Sequence, residues 1–209
     1  MTEEELANRL KKYFPSSTEK LIARWIIRNE VHFRVTQPRN SKFGDYRQPH
    51  KGEGHMITVN GNLNPWAFLI TTIHEFAHLL AWIKYKDQIA PHGKEWKEQY
   101  KILLLPLIKL KIFPEDIEVA LRKYIKNPTA SSCSDDDLLK ALKRYDVEKL
   151  PFLEDIPFGC YFRFNEKVFC KGKKQRTRYT CREVETGAEY MISGLAEVEL
   201  VDNYFTFTS

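Results

Sequence analysis

Residues 64–85 read NPWAFLITTIHEFAHLLAWIKY. Asn64 followed by Pro65 is a helix start, with Asn as cap and Pro at the first helical position. From Trp66 to about Tyr85 the stretch is apolar almost all round, which predicts a helix buried on every side rather than an amphipathic surface helix. Three polar groups interrupt it: His74, Glu75 and His78. Residues four apart on a helix share a face, so His74 and His78 can present two imidazoles to one ion while Glu75 leans toward the open side of that ion. A bland alternative is two core histidines bonded to backbone, with Glu75 paired to a cation. Unpaired burial of such groups costs several kcal/mol, and one metal ion satisfies both imidazoles together. Zinc lowers the pKa of a bound water to about 7, and Glu75 is placed to take that proton and return it to a leaving amine.

A catalytic zinc site needs a third protein ligand. His92 is the leading candidate, because it follows His78 past a turn and precedes a helix that can return antiparallel. Glu95 and Glu98 compete for the role. Tyr85, Tyr100 and Lys94 lie near in sequence as candidates for stabilising a developing oxyanion, and no spacing rule selects among them.

Upstream, Thr2 with Glu5 and Ser16 with Glu19 read as capping boxes opening two amphipathic helices. Residues 31–36, 41–47 and 55–60 alternate with period two between Pro and Gly punctuation, predicting a short antiparallel three-stranded sheet. His32, His50 and His55 fall in this region and read as surface or packing residues. Downstream, helices are predicted over residues 94–111, 115–126 and 134–145. Residues 127–134 (NPTASSCS) form the best linker candidate. After Leu150-Pro151 short aromatic and β-branched runs separated by Gly159, Gly172, Gly187 and Gly194 predict a small all-β module.

The chain has 209 residues, 33 Lys+Arg against 28 Asp+Glu, and a formal charge of +5. Thirteen Phe, ten Tyr and four Trp exclude disorder as the main state, and nine Gly with ten Pro exclude collagenous classes. The acidic start lacks an apolar signal region, no clean membrane span is present, and Cys133, Cys160, Cys170 and Cys181 are too few and scattered for a secreted disulfide framework. A cytoplasmic protein without a membrane partner is expected. The charge excess is concentrated: Lys167, Lys171, Lys173, Lys174, Arg176, Arg178 and Arg182 occur without an intervening acid, around Phe169 and Tyr179. Such a hairpin suits phosphate contact and base stacking, with Lys171, Lys173, Lys174, Arg176 and Arg178 as the contacts. A solvated hairpin tip, balanced by Glu183, Glu185 and Glu189, is the simpler alternative.

The pairing of His74-Glu75-Phe76-Ala77-His78 with His92-Gly93-Lys94-Glu95-Trp96 resembles the SprT-like zinc metalloproteases, the group that includes Spartan. Residues 39–47 and Ile57–Asn60 with Leu63-Asn64 resemble that family's strand region, and the resemblance spans roughly residues 15–125. It implies one zinc bound by His74, His78 and His92, Glu75 as general acid/base, and an α+β, gluzincin-like domain. It also implies a strand beside the active helix that pairs with an extended peptide; in this chain that strand is expected at residues 55–60, with Ile57, Val59 and Asn60 as contacts. Substrates would be proteins, including those associated with or crosslinked to DNA, and nucleoid association follows from the same resemblance. The family's usual C-terminal zinc ribbon is not matched: Cys160, Cys170 and Cys181 form no CxxC pair, so one catalytic zinc and no structural one is expected. The resulting division is a metalloprotease domain over 1–128, a linker with a short helix over 129–156, and a β module over 157–209, either a degenerate ribbon or SH3-like. A nucleic-acid-binding protein with a structural or vestigial metal site is the alternative, and a zinc hydrolase of non-peptide substrates a weaker one.

Overall fold

The computed structural model describes residues 1–39, 42–128 and 135–201. The chain divides into two compact units, Met1–Val147 and the remainder from Glu148. The overall class is α+β.

The first unit opens with α1 (Glu3–Leu10), where Thr2 and Glu5 form the expected reciprocal cap. The second capping box does not form. Helix α2 (Glu19–Arg28) begins after Thr18, whose hydroxyl donates to the Pro15 carbonyl at 2.7 Å. Three strands follow: β1 (His32–Thr36), β2 (Gly44–Arg47) and β3 (Met56–Asn60). Their spatial order is β1-β3-β2, with β1 parallel to β3 and β2 antiparallel to it. The sheet is therefore mixed, not antiparallel as expected. Alternation of apolar residues reports a half-buried strand but carries no information on the direction of its partner. The central strand β3 is buried on both faces: Ile57 and Val59 face the core, while Thr58 and Asn60 lie beneath Arg39.

Helix α3 (Pro65–Tyr85) is the axis of this unit. Asn64 caps it, accepting from the Ala67 N–H at 3.0 Å. The same side chain donates to the Leu142 carbonyl (2.9 Å) and the Asp146 carboxylate (2.6 Å). Apolar residues Phe68, Leu69, Ile70, Ile73, Phe76, Ala77 and Leu79 point in all directions into the core. It is the one helix among the described residues long and apolar enough to cross a membrane, and 72% of its apolar window is buried within the protein. Helices α4 (Lys94–Lys109), α5 (Glu115–Tyr124) and α6 (Asp136–Lys143) complete the unit.

Helix α6 was expected inside a linker. It instead belongs to the first core, where Leu138, Ala141 and Leu142 are buried and Asn64 binds its C-terminal turn. Its amphipathic stripe needs an apolar partner, and α5 supplies one. Cys133 and most of the segment 127–134 lie outside the described residues.

The second unit holds a short 3-10 turn (Leu153–Asp155) and a five-stranded antiparallel sheet. Its strands are β4 (Tyr161–Phe164), β5 (Lys167–Gln175), β6 (Arg178–Glu183), β7 (Glu189–Ser193) and β8 (Glu199–Leu200), in the order β7-β6-β5-β4-β8. Leu153, Ile156, Phe162, Phe169, Tyr179, Cys181, Ile192 and Val198 form its separate core. Strand β5 runs through Gly172 without breaking, because the residue sits in a register shift between Lys171 and Lys174. A side chain there would collide with the Thr180 carbonyl on β6, so glycine marks a bulge rather than a strand end.

Candidate metal centre

His74 and His78 project from one face of α3, and His92 arrives from the loop that precedes α4. His92 itself lies at φ 56°, a left-handed backbone that turns the chain sharply before Gly93 caps α4. The three Nε2 atoms form a nearly equilateral triangle: 3.2 Å from His74 to His78, 3.1 Å from His74 to His92, and 2.9 Å from His78 to His92. Three nitrogens each about 2.0–2.1 Å from a common ion have separations of this order. Without an ion the arrangement is frustrated. A neutral imidazole has one N–H, and three facing Nε2 atoms cannot all be paired by one another. Burial pushes His74 down to about 2 and His78 to about 4, with the neighbouring imidazoles adding to the effect, and burial lowers His92 as well. The rings are therefore neutral with lone pairs to offer, as metal ligands must be. Among the described residues these three histidines are the one group whose donor atoms converge in this way. Glu95 and Glu98, the competing ligands, do not join it.

Trp96 backs the cluster. It is 1% exposed, and its ring centroid lies 4.6 Å from that of His74, 4.8 Å from His92 and 5.3 Å from His78. Tyr100 stacks on it in turn at 5.1 Å. One turn of α4 thus supplies an apolar wall that fixes the ligand rings from behind.

The open side is a cleft of about 240 Å³ lined by Gly44, Asp45, Tyr46, His74, Glu75, His78 and His92. Glu75 is 6% exposed. Burial raises its carboxyl to about 8 and the Asp45 carboxylate adds to this, while Lys42, Arg39 and the Tyr46 backbone N–H oppose it. Gly44 and Tyr46 lie on the same face of β2 and turn toward α3. A Cβ on Gly44 would come 2.5 Å from Glu75 Oε1 and 2.7 Å from Thr71 Cγ2, so only glycine lets the strand approach this closely. Tyr46 lies with its ring parallel to that of His78, centroids 6.4 Å apart, and its hydroxyl is 2.9 Å from His55 Nδ1.

Residues 9–104 match the model of the SprT-like family. This stretch, 96 of the chain's 209 residues, is similar to a SprT-like domain. The match contains every residue that lines the cleft. No curated protein and no solved structure gives a significant match to the chain.

The sheet topology places the expected peptide-binding strand differently. Ile57, Val59 and Asn60 lie on β3, which is paired on both sides, and all three are at most 1% exposed. No backbone edge remains there for a peptide. Asn60 instead organises the loop before β2: it accepts from Arg39 Nε (2.8 Å) and donates to the carbonyls of Arg39 (3.0 Å) and Lys42 (3.1 Å). The strand beside the histidines is β2, whose second edge meets no strand among the described residues. Sequence reasoning passed over Gly44, Asp45 and Tyr46. The signal available was Gly44 inside an otherwise strand-forming run, which marks a close backbone approach.

Lys171 is also not where it was expected. It is 4% exposed, donates to the carbonyls of Glu154 (3.2 Å) and Ile156 (2.5 Å), and lies 4.2 Å over the Tyr179 ring. It is an internal strut of the second unit. Lys173, Lys174, Arg176 and Arg178 are exposed around the β5–β6 turn, with Lys174 reaching Glu154 at 4.0 Å. Cys160, Cys170 and Cys181 are free thiols.

Proposed function

We propose that the first unit is a zinc-dependent peptidase that cleaves extended segments of protein substrates, including proteins held on DNA. The observation that carries this reading is the buried Glu75 carboxylate standing beside three convergent neutral histidines in a cleft bordered by a strand edge. His74, His78 and His92 would hold the ion, and three neutral nitrogen ligands suit zinc. The ion supplies Lewis acidity, which acidifies water and polarises a carbonyl.

The remaining work falls to the protein. Burial raises the Glu75 carboxyl to about 8 in the metal-free protein; a zinc cation beside it would favour the ionised form, which would accept a proton from the nucleophilic water and could return it to the leaving amine. Gly44 keeps the strand close enough to shield that carboxylate from bulk water. The open edge of β2 can take an extended peptide in antiparallel register and draw its carbonyl across the cleft. Asp45, held by Lys42 (2.7 Å) and Arg47 (2.9 Å), occupies the opposite face of β2, and these charges discourage pairing with another sheet.

The test is zinc content together with hydrolysis of an unfolded protein such as casein. His92→Ala should lose the metal by elemental analysis. Glu75→Gln should keep it and lose turnover by about 10²–10⁴-fold, the usual span for a general acid/base. Full metal retention in His92→Ala contradicts the ligand assignment.

A second reading concerns the basic hairpin, and the exposure of Lys173, Lys174, Arg176 and Arg178 at one turn favours it. DNA binding there would show a log–log salt slope that flattens when Lys173, Lys174 and Arg176 are replaced together. Replacing the internal Lys171 should instead lower stability. An unchanged slope in the triple variant contradicts this reading.

A further inference from the structure

The cleft contains a catalytic carboxylate and three metal ligands, and hydrolysis also requires a donor for the negative charge that develops on the carbonyl oxygen. The sequence neighbours considered for that role do not reach it. Tyr100 is fully buried behind Trp96, and its hydroxyl lies inside the core. Tyr85 and Lys94 do not line the cleft. Of the lining residues, Gly44 has no side chain, Asp45 and Glu75 are carboxylates, and the three histidines face one another. Tyr46 carries the one hydroxyl among the lining side chains of the described residues.

Its placement follows from the strand. Gly44 and Tyr46 are two residues apart on one face of β2, so the strand that admits Glu75 at Gly44 sets Tyr46 against His78 one helical turn further along α3. The hydroxyl is not loose: it is 2.9 Å from His55 Nδ1. His55 is itself braced edge-on against Trp82, with centroids 5.0 Å apart.

We propose that Tyr46 donates a hydrogen bond to the carbonyl oxygen in the transition state and that His55 orients it. In this arrangement His55 is neutral, carries its proton on Nδ1 and donates to the tyrosine oxygen, which leaves the tyrosine proton free to point into the cleft. Tyr46 keeps its proton throughout; no bond to it is broken. The assignment rests on the peptidase reading for its chemistry, but not for its test.

The test compares wild type with Tyr46→Phe, which removes the hydroxyl and keeps the ring beside His78. Both zinc-loaded proteins are assayed for hydrolysis of an unfolded protein and for affinity toward a phosphinic peptide, whose tetrahedral oxygens imitate the transition state. The expected result is unchanged zinc content, unchanged KM, and about 10–100-fold losses in both kcat and phosphinic-peptide affinity. If wild type hydrolyses nothing but binds the phosphinic peptide, and Tyr46→Phe weakens that binding, the peptidase reading fails and the donor assignment stands. Equal affinity in the two proteins, absence of phosphinic-peptide binding by wild type, or loss of zinc from Tyr46→Phe would each overturn the assignment.

Discussion

Burial raises the Glu75 carboxyl from near 4.5 to about 8, and the same burial drives His74 to about 2 and His78 to about 4. These shifts have opposite consequences for stability in the metal-free protein. A raised carboxyl stabilises the fold below about pH 4.5, and that contribution is lost as pH climbs toward 8. A lowered imidazole stabilises the fold above its unfolded value near 6.5, and that contribution is lost as pH falls below it. Above pH 7 the histidines are neutral in both states and add no slope. Melting of the metal-free protein should therefore drop by several degrees between pH 7 and 8.5, and Glu75→Gln should flatten that drop. Parallel curves for the two proteins would contradict the burial of the carboxylate. His74, Glu75 and His78 were legible in the sequence because their spacing on an apolar helix is itself chemical information. His92 was legible as a candidate only; its selection over Glu95 and Glu98 needed the left-handed turn at its own backbone, which no spacing encodes.

At the scale of elements, the decisive contact is β2 against α3. The sequence showed three strands but not their order, since period-two alternation is identical for a central and an edge strand with one buried face. The central strand is β3, paired with β1 on one edge and β2 on the other, and its second face is covered by Arg39 from a loop. At Gly44 the strand leaves no room for a Cβ beside Glu75 and Thr71. Gly44→Ala should push β2 or the Glu75 side chain outward, lowering turnover by about tenfold or more, as sub-ångström displacement of a catalytic group does. Zinc content should stay at the wild-type level, because the nearest atoms to that methyl belong to Glu75 and Thr71 rather than to the histidines. Loss of zinc with turnover would show that the strand braces the ligands rather than the carboxylate.

At the scale of the whole molecule, the chain holds two separate cores, and the boundary lies between Val147 and Glu148. The sequence located the β module well, since short aromatic runs between glycines have few other readings. It misplaced α6, because a short amphipathic helix beside a Ser-rich stretch looks like a spacer until its apolar stripe finds α5 and its C-terminal turn finds Asn64. A chain ending at Val147 should fold and bind zinc by itself. A chain ending at residue 128 loses the burial of Leu138 and Leu142, about 3–6 kcal/mol at the usual value per buried leucine. That is a large part of a domain's typical stability of about 5–15 kcal/mol, so it should melt far lower or fail to fold, as followed by circular dichroism. Equal melting of the two fragments would return α6 to the linker.

The central claim is that Glu75, beside a zinc held by His74, His78 and His92, performs peptide hydrolysis. Cleavage of casein by wild type and Glu75→Gln, at equal zinc content, tests it most directly. The account predicts cleavage by wild type and a loss of about 10²–10⁴-fold in the variant; equal cleavage by both, or none by zinc-loaded wild type, would contradict it.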